Sequence, residues 1–302
     1  MEIDRKELKR QARERMALTD PKFWVVALAY LAMTTGVSWL VSLIPLPSPG
    51  STVSTMDIFL QLLLILYTTV VQFGLCLWAL WTYRQLNPGA GSLMQGFSVA
   101  GRVLLMELSI FIRTLGWYFL VSMMFTLPFT VIILSVGDYY AAWLAWFLLA
   151  VCLLAALYAI SLRYALAPYL LADHPDDGVS RPIFRSVELM RGWKWELFKL
   201  DFSFIGYEII NYLLSAAVLL FFLSRAGLLP PSFADGNQAL EWAQACKTVI
   251  YSAPASILST LVTVPVSLWL IPYRSVSRAG FYDARLQAAS QERRQMPEMP
   301  PL

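Results

Sequence analysis

Six long apolar stretches run through this chain, and the lysines and arginines between them fall on alternate sides. A hydrocarbon core of about 30 Å needs roughly 20 mostly apolar residues per helical crossing. Inside it every backbone N–H and C=O must be satisfied within the segment, which selects helices. The stretches run from Phe23 to Ile44, from Ile58 to Tyr83, within Val103 to Val136, within Tyr139 to Ala167, from Phe198 to Leu223 and from Thr248 to Ile271. They predict an all-α fold, a polytopic transmembrane helical bundle of about six spans. The first stretch follows a basic segment, as a signal peptide would. Its apolar core is longer than an h-region and no small-residue cleavage site follows, so it is expected to stay as an anchor. Only 14% of the residues are charged, against about a quarter in soluble domains, which sets aside a reading as two soluble domains.

The distribution of positive charge predicts the orientation. Residues 1–22 hold seven Lys and Arg, 84–102 two, 163–199 six and 274–294 five, which puts 20 on one side; the opposite loops hold only Arg225 and Lys247, and Arg113 lies within the third span. The positive-inside rule then expects both termini in the cytoplasm. The chain divides into a basic amphipathic segment at 1–22, a six-span domain at 23–272 and a cytoplasmic tail at 273–302. The polar, Pro-rich end of that tail, after Arg285, is expected to be disordered. The outer connections are 45–57, a tight turn at Gly137-Asp138, and 224–247. Only the last is long enough for a small structured element, with turn signals at Pro230-Pro231 and Asp235-Gly236. Val103 to Val136 amounts to about 50 Å of helix. This run and the next therefore project into the cytoplasm as a long hairpin, or break, with Pro128 and Pro168 as kink sites. Pro254, Pro265 and Pro272 punctuate the sixth span, where membrane helices tolerate proline.

Two cytoplasmic segments carry a pattern. Residues 4–16 form a charged helix that serves as a topogenic signal and suits an anionic inner leaflet. Residues 180–199 read as one basic, aromatic-rich amphipathic helix between spans four and five, with Ser180 as its N-cap and Pro182 in the first turn. Ile183, Val187, Met190 and Leu197 recur at helical spacing. Such a helix lies at the inner membrane surface, either as a plain anchor for the fifth span or as a docking face built from Arg185, Arg191, Trp193, Lys194 and Trp195. Gly91 to Ile112 repeats the design more weakly after the second span, as related halves of a transporter would.

Ionisable residues within spans are candidates for function. Here they are Glu107, Arg113 and Glu208, with Asn211 three residues from Glu208 on the same face. Glu107 and Arg113 point about 120° apart on one helix, so Arg113 is expected to look elsewhere, with Glu208 as a candidate partner. The set reads first as a helix–helix clamp and second as a buried polar site for a proton, ion or small solute. No catalytic residues emerge: HExxH, GxSxG, GxxxxGK[ST] and paired intramembrane aspartates are all missing from the sequence. His174 is the single histidine, and Cys76, Cys152 and Cys246 form no CxxC pair. Neither a cofactor nor a metal site is expected. A net charge of +3 points to no nucleic acid partner, leaving the lipid bilayer with its anionic inner leaflet and a membrane protein partner.

The run SVELMRGWKWELFKLDFSFIGY, Ser186 to Tyr207, resembles the signature of an uncharacterised bacterial integral membrane family, domain of unknown function 975. Its elements are Ser186, Met190, Gly192, Lys194-Trp195, Leu197-Phe198 and Ser203-Phe204-Ile205-Gly206. RKELKRQAR at Arg5 to Arg13, YALAPYLLADHP at Tyr164 to Pro175, Ile271 to Tyr273 and Phe281 to Asp283 are similar to other pieces of that family, in the same order. Tyr207 stands where the family has Trp, and Glu208 adds a charge beside it. The resemblance implies a multi-pass protein of a bacterial cytoplasmic membrane and carries over no catalytic residue and no substrate. The leading expectation is a non-enzymatic partner or accessory in membrane transport, secretion or envelope maintenance. The alternative is a small-solute or ion transporter using Glu208, Asn211 and Arg113, and a membrane enzyme acting on lipid comes third.

Overall fold

The structure is a computed structural model that describes residues 4–42, 55–135, 139–229, 236–250 and 252–295. Most of the loop 45–57, the Gly137-Asp138 turn, Pro230-Pro231, Asp235 and the last residues of the tail lie outside the described residues. Among those described, all regular structure is helical and there is no strand. The helices are α1 Arg5–Ala17, α2 Phe23–Leu31, α3 Val37–Ser42, α4 Thr55–Tyr83, α5 Ser92–Gln95, α6 Ala100–Ser135, α7 Tyr139–Ser161, α8 Ala167–Asp173, α9 Ser180–Leu189, α10 Lys194–Phe202, α11 Ile205–Arg225, α12 Gly236–Ile250 and α13 Ala253–Gln295. A π-helical turn at Ala32–Gly36 joins α2 to α3. Six stretches are long and apolar enough to cross a membrane: Phe23–Val41, Thr55–Tyr83, Ser92–Val131, Leu144–Asp173, Ile205–Arg225 and Ala253–Glu292. The chain is an all-α, multi-pass membrane protein.

Several boundaries differ from the sequence reading, each for a local reason. The expected single helix 180–199 is two helices, because Gly192 takes φ +81° between them, a left-handed conformation that suits glycine and ends a helix. Ser180 opens α9 after Val179 and makes no side-chain cap. The fifth span begins at Ile205, after a turn in which the Ser203 and Phe204 N–H groups donate to Leu200 and Asp201 (3.1 and 3.0 Å). The 224–247 connection holds the small element foreseen for it, α12. Pro254 falls in the first turn of α13, where a missing N–H costs little, and Pro265 and Pro272 sit inside a helix that continues through both. Disorder from Arg285 onward is not what forms: α13 runs to Gln295, with Arg285 and Ala288 buried.

The chain comprises two compact units, Met1–Lys199 with Ser275–Leu302, and Leu200–Arg274. In the first, Phe73 and Leu77 of α4, Val103 and Met106 of α6, Tyr164, Ala167 and Leu171 around α8, and Ile183 of α9 form the core. Helix α4 is buried only from Val70 to Tyr83. That half meets the α5 segment backbone to backbone: a Cβ on Gly74 would lie 2.3 Å from the Leu93 carbonyl oxygen, and one on Gly96 2.6 Å from that of Val70. Only glycine fits at either position. Helix α1 buries Leu8, Ala12 and Met16, a stripe at four-residue spacing. Leu8 and Met16 are each worth about 1.5–3 kcal/mol against exposure to water. In the second unit the Trp242 indole donates to the Leu228 carbonyl (2.8 Å), fastening α12 to the end of α11, and the Phe204 ring meets Tyr273 edge-on at 5.0 Å.

Candidate functional site

A polar assembly of the first unit forms where the ends of α4 and α8 meet Tyr282 and Asp283 of α13. Helix α4 stops at Tyr83 because Gln85 and Asn87 take positive φ, while the Gln85 and Leu86 N–H groups close onto Thr82 and Trp81. Arg84 is thereby held at a helix C-terminus, where a cation is favoured. Its Nη1 and Nη2 donate to the two oxygens of Asp173 (2.5 and 2.9 Å). Nη2 and Nε also reach Asp283 (2.7 and 3.2 Å). Tyr282 Oη donates to Asp173 Oδ2 (2.7 Å), and its ring stacks on Tyr169 at 5.7 Å. Bidentate geometry makes this the strong form of an ion pair. The hydrogen bonds to Asp173, then those to Asp283, push the Arg84 guanidinium above its ordinary range. Asp173 ends α8, where the helix dipole disfavours an anion, and Arg84 offsets that penalty.

The same end also holds α1. Arg15 donates to the Tyr83 carbonyl and lies 3.8 Å over the Tyr83 ring, while Tyr83 Oη donates to Gln11 (2.9 Å). The amino-terminal helix is thus packed on protein through Leu8, Ala12 and Met16, and is more than a topogenic stretch.

The foreseen docking face is partly consumed by packing. Of the foreseen apolar stripe, Ile183, Met190 and Leu197 are buried and Val187 is partly buried. Ser186 accepts from the Leu166 N–H (3.3 Å) and donates to the Arg163 carbonyl (3.0 Å). Arg285 donates to the Leu189 carbonyl (3.1 Å) and covers the Trp193 ring at 4.3 Å, so Trp193 is half-buried. Lys194 is part-buried, and burial, then the neighbouring Arg163, pushes its ammonium below the usual lysine range. Arg185, Arg191 and Trp195 remain exposed. Trp195 stacks on Phe198 at 4.8 Å.

The intramembrane polar residues are divided between the two units, Glu107 and Arg113 in the first and Glu208 and Asn211 in the second. Glu107 lines a small pocket of about 140 Å³ with Thr69, Gln72, Phe73, Cys76 and Pro168. Arg113 lies 4.8 Å over the Phe184 ring. Within the second unit Glu208 takes Arg274 as a partner (3.2 Å). Arg274 Nε also lies 3.7 Å from Asp201. Asn211 Oδ1 is buried without a hydrogen bond. Among the described residues no group of His, Cys, Asp and Glu is placed to hold a metal ion. The Arg84 assembly escaped the sequence reading, although Asp173, Tyr282 and Asp283 lie in the family-like pieces at 164–175 and 281–283.

A family model described as "Protein of unknown function (DUF975)" matches residues 1–289. No curated protein and no solved structure matches the chain.

Proposed function

The chain belongs to the DUF975 family of proteins of unknown function, and from that premise we propose that it is a non-enzymatic accessory protein of a bacterial cytoplasmic membrane. Both termini face the cytoplasm, as the excess of Lys and Arg on one set of loops requires. It serves transport, secretion or envelope maintenance by presenting a preformed surface to a membrane protein partner. One observation carries this reading. The α9–α10 segment buries its own apolar stripe and is pinned by Ser186 and Arg285, which leaves Arg185, Arg191 and Trp195 outward on a fixed backbone. A surface ordered in advance loses little entropy on binding, and Arg and Trp are the side chains that most often dominate interfaces. Photoreactive groups at positions 185 and 191 in native membranes test it. A single stoichiometric protein adduct is expected from either position, lost when the other arginine is reversed to Glu with normal insertion. Recovery of lipid alone overturns it.

A second reading, a small-solute or ion transporter, draws on the orphaned Asn211 Oδ1 beside the Glu208–Arg274 pair. Flux that disappears in Glu208→Gln while the double charge reversal is tolerated would favour it.

A further inference from the structure

We propose that Arg113, Arg163 and Lys194 form a binding site for the phosphodiester headgroup of an anionic glycerophospholipid. The three belong to the first unit and come from three elements. Arg113 is on α6, Arg163 in the 3₁₀ turn Leu162–Tyr164 that follows α7, and Lys194 opens α10. Helices α6 and α7 pack on each other as neighbours along the chain. Arg113 precedes the end of α6 at Ser135 by about as many residues as Arg163 follows the start of α7 at Tyr139. At 1.5 Å per residue that is roughly 35 Å for each, close to one hydrocarbon thickness. The two guanidiniums therefore stand at similar depth, at the edge of the slab that this helix pair would cross.

Contacts bear out the juxtaposition. The Arg163 guanidinium lies 5.3 Å from the centre of the Trp117 ring. Trp117 is four residues beyond Arg113 and shares its helix face. Lys194 opens the helix whose Phe198 meets Tyr158 of α7 edge-on at 6.0 Å, five residues before Arg163. Among the described residues none of the three cations makes an ion pair; Arg113 and Arg163 have only ring faces, Phe184 and Trp117. Three cations without a counter-charge beside apolar helices are costly. Cation–π contacts compensate only in part.

An anion is needed, and the surroundings say what it is attached to. Leu120, Met124 and Leu127 are exposed on the face of α6 that carries Arg113, giving acyl chains an apolar bed. The aromatic run Trp195, Phe198 and Tyr158 leads from Lys194 across to α7, with ring separations of 4.8 and 6.0 Å. Trp and Tyr suit headgroup depth. A phosphodiester on a diacyl chain meets the charge and the apolar bed at once; a soluble anion meets only the first. The depressed Lys194 pKa fits a cation whose partner the chain does not itself supply.

The test is lipid titration of the full-length protein in detergent, read by native mass spectrometry, with phosphatidylglycerol, phosphatidylcholine and inorganic phosphate as probes. Phosphatidylglycerol is expected to bind at least tenfold more tightly than phosphatidylcholine. Arg113→Gln/Arg163→Gln/Lys194→Gln is expected to remove that preference, while Lys6→Gln/Arg13→Gln, two exposed cations on α1, keeps it. Arg113→Lys/Arg163→Lys should retain most of it. If the triple variant does not fold, Lys194→Gln alone should weaken phosphatidylglycerol about threefold. Equal binding of both lipids, displacement by millimolar phosphate, or an unchanged preference in the glutamine variants overturns the site. A protein adduct at positions 185 and 191 bears on the proposed function and leaves this result untouched.

Discussion

Two arginines in this chain each face two carboxylates, and they are not finished to the same degree. Arg84 forks onto Asp173, reaches Asp283, and its first aspartate is further held by Tyr282. Arg274 meets Glu208 at 3.2 Å and Asp201 at 3.7 Å, but its Nε makes no hydrogen bond, and the neighbouring Asn211 Oδ1 is orphaned. A saturated cluster has no capacity left for a ligand and works as a clamp. An unsaturated one keeps polar capacity that a membrane interior seldom leaves idle. The first unit is thus tied at its Arg84 cluster, and the second retains open polar capacity at its own.

The largest test of that contrast is Arg84→Ala, which leaves two poorly exposed aspartates facing one another. Removing one partner of such a pair costs about 3 kcal/mol, so thermal unfolding in detergent should show a pronounced loss. If the variant is as stable as the parent, the clamp reading fails. Tyr282→Phe removes one hydrogen bond to a charged acceptor and should cost about 1.5–2 kcal/mol by the same measurement. Glu208→Gln breaks a pair in which both side chains are about a third exposed. It should cost at most about 1 kcal/mol; a loss like that of Arg84→Ala would make the two clusters equals. Asn211→Leu replaces an orphan by an apolar group of similar size. It should leave stability unchanged or raise it by up to about 1 kcal/mol, and a clear drop would mean that Asn211 already has a partner.

What the sequence could carry was set by the range of each signal. Apolar runs and alternating charge are local patterns repeated many times, so the six spans and the all-α class were legible. The α9–α10 segment was half legible: Ile183, Met190 and Leu197 do share a buried side, yet the periodicity runs straight through Gly192, where the backbone turns. The Glu208–Arg274 pair was not legible, because Arg274 reads as one of the charges that flank the sixth span. Arg84 offered no local cue at all. Its partners lie 89 and 199 residues away, and nothing in a one-dimensional pattern joins them.

That separation bears on biogenesis. Asp283 leaves the ribosome 199 residues after Arg84, which at roughly 5–20 residues per second is a delay of about 10–40 s. Once Asp173 is made, 89 residues after Arg84, the two can pair, but until Asp283 follows the third arm of the clamp does not yet exist. A chain cut short before its last helix keeps its earlier membrane segments and lacks the fastening. Complete synthesis is therefore written into the tertiary structure, and a protease able to sense a loose α4–α8 junction would distinguish finished molecules from abandoned ones.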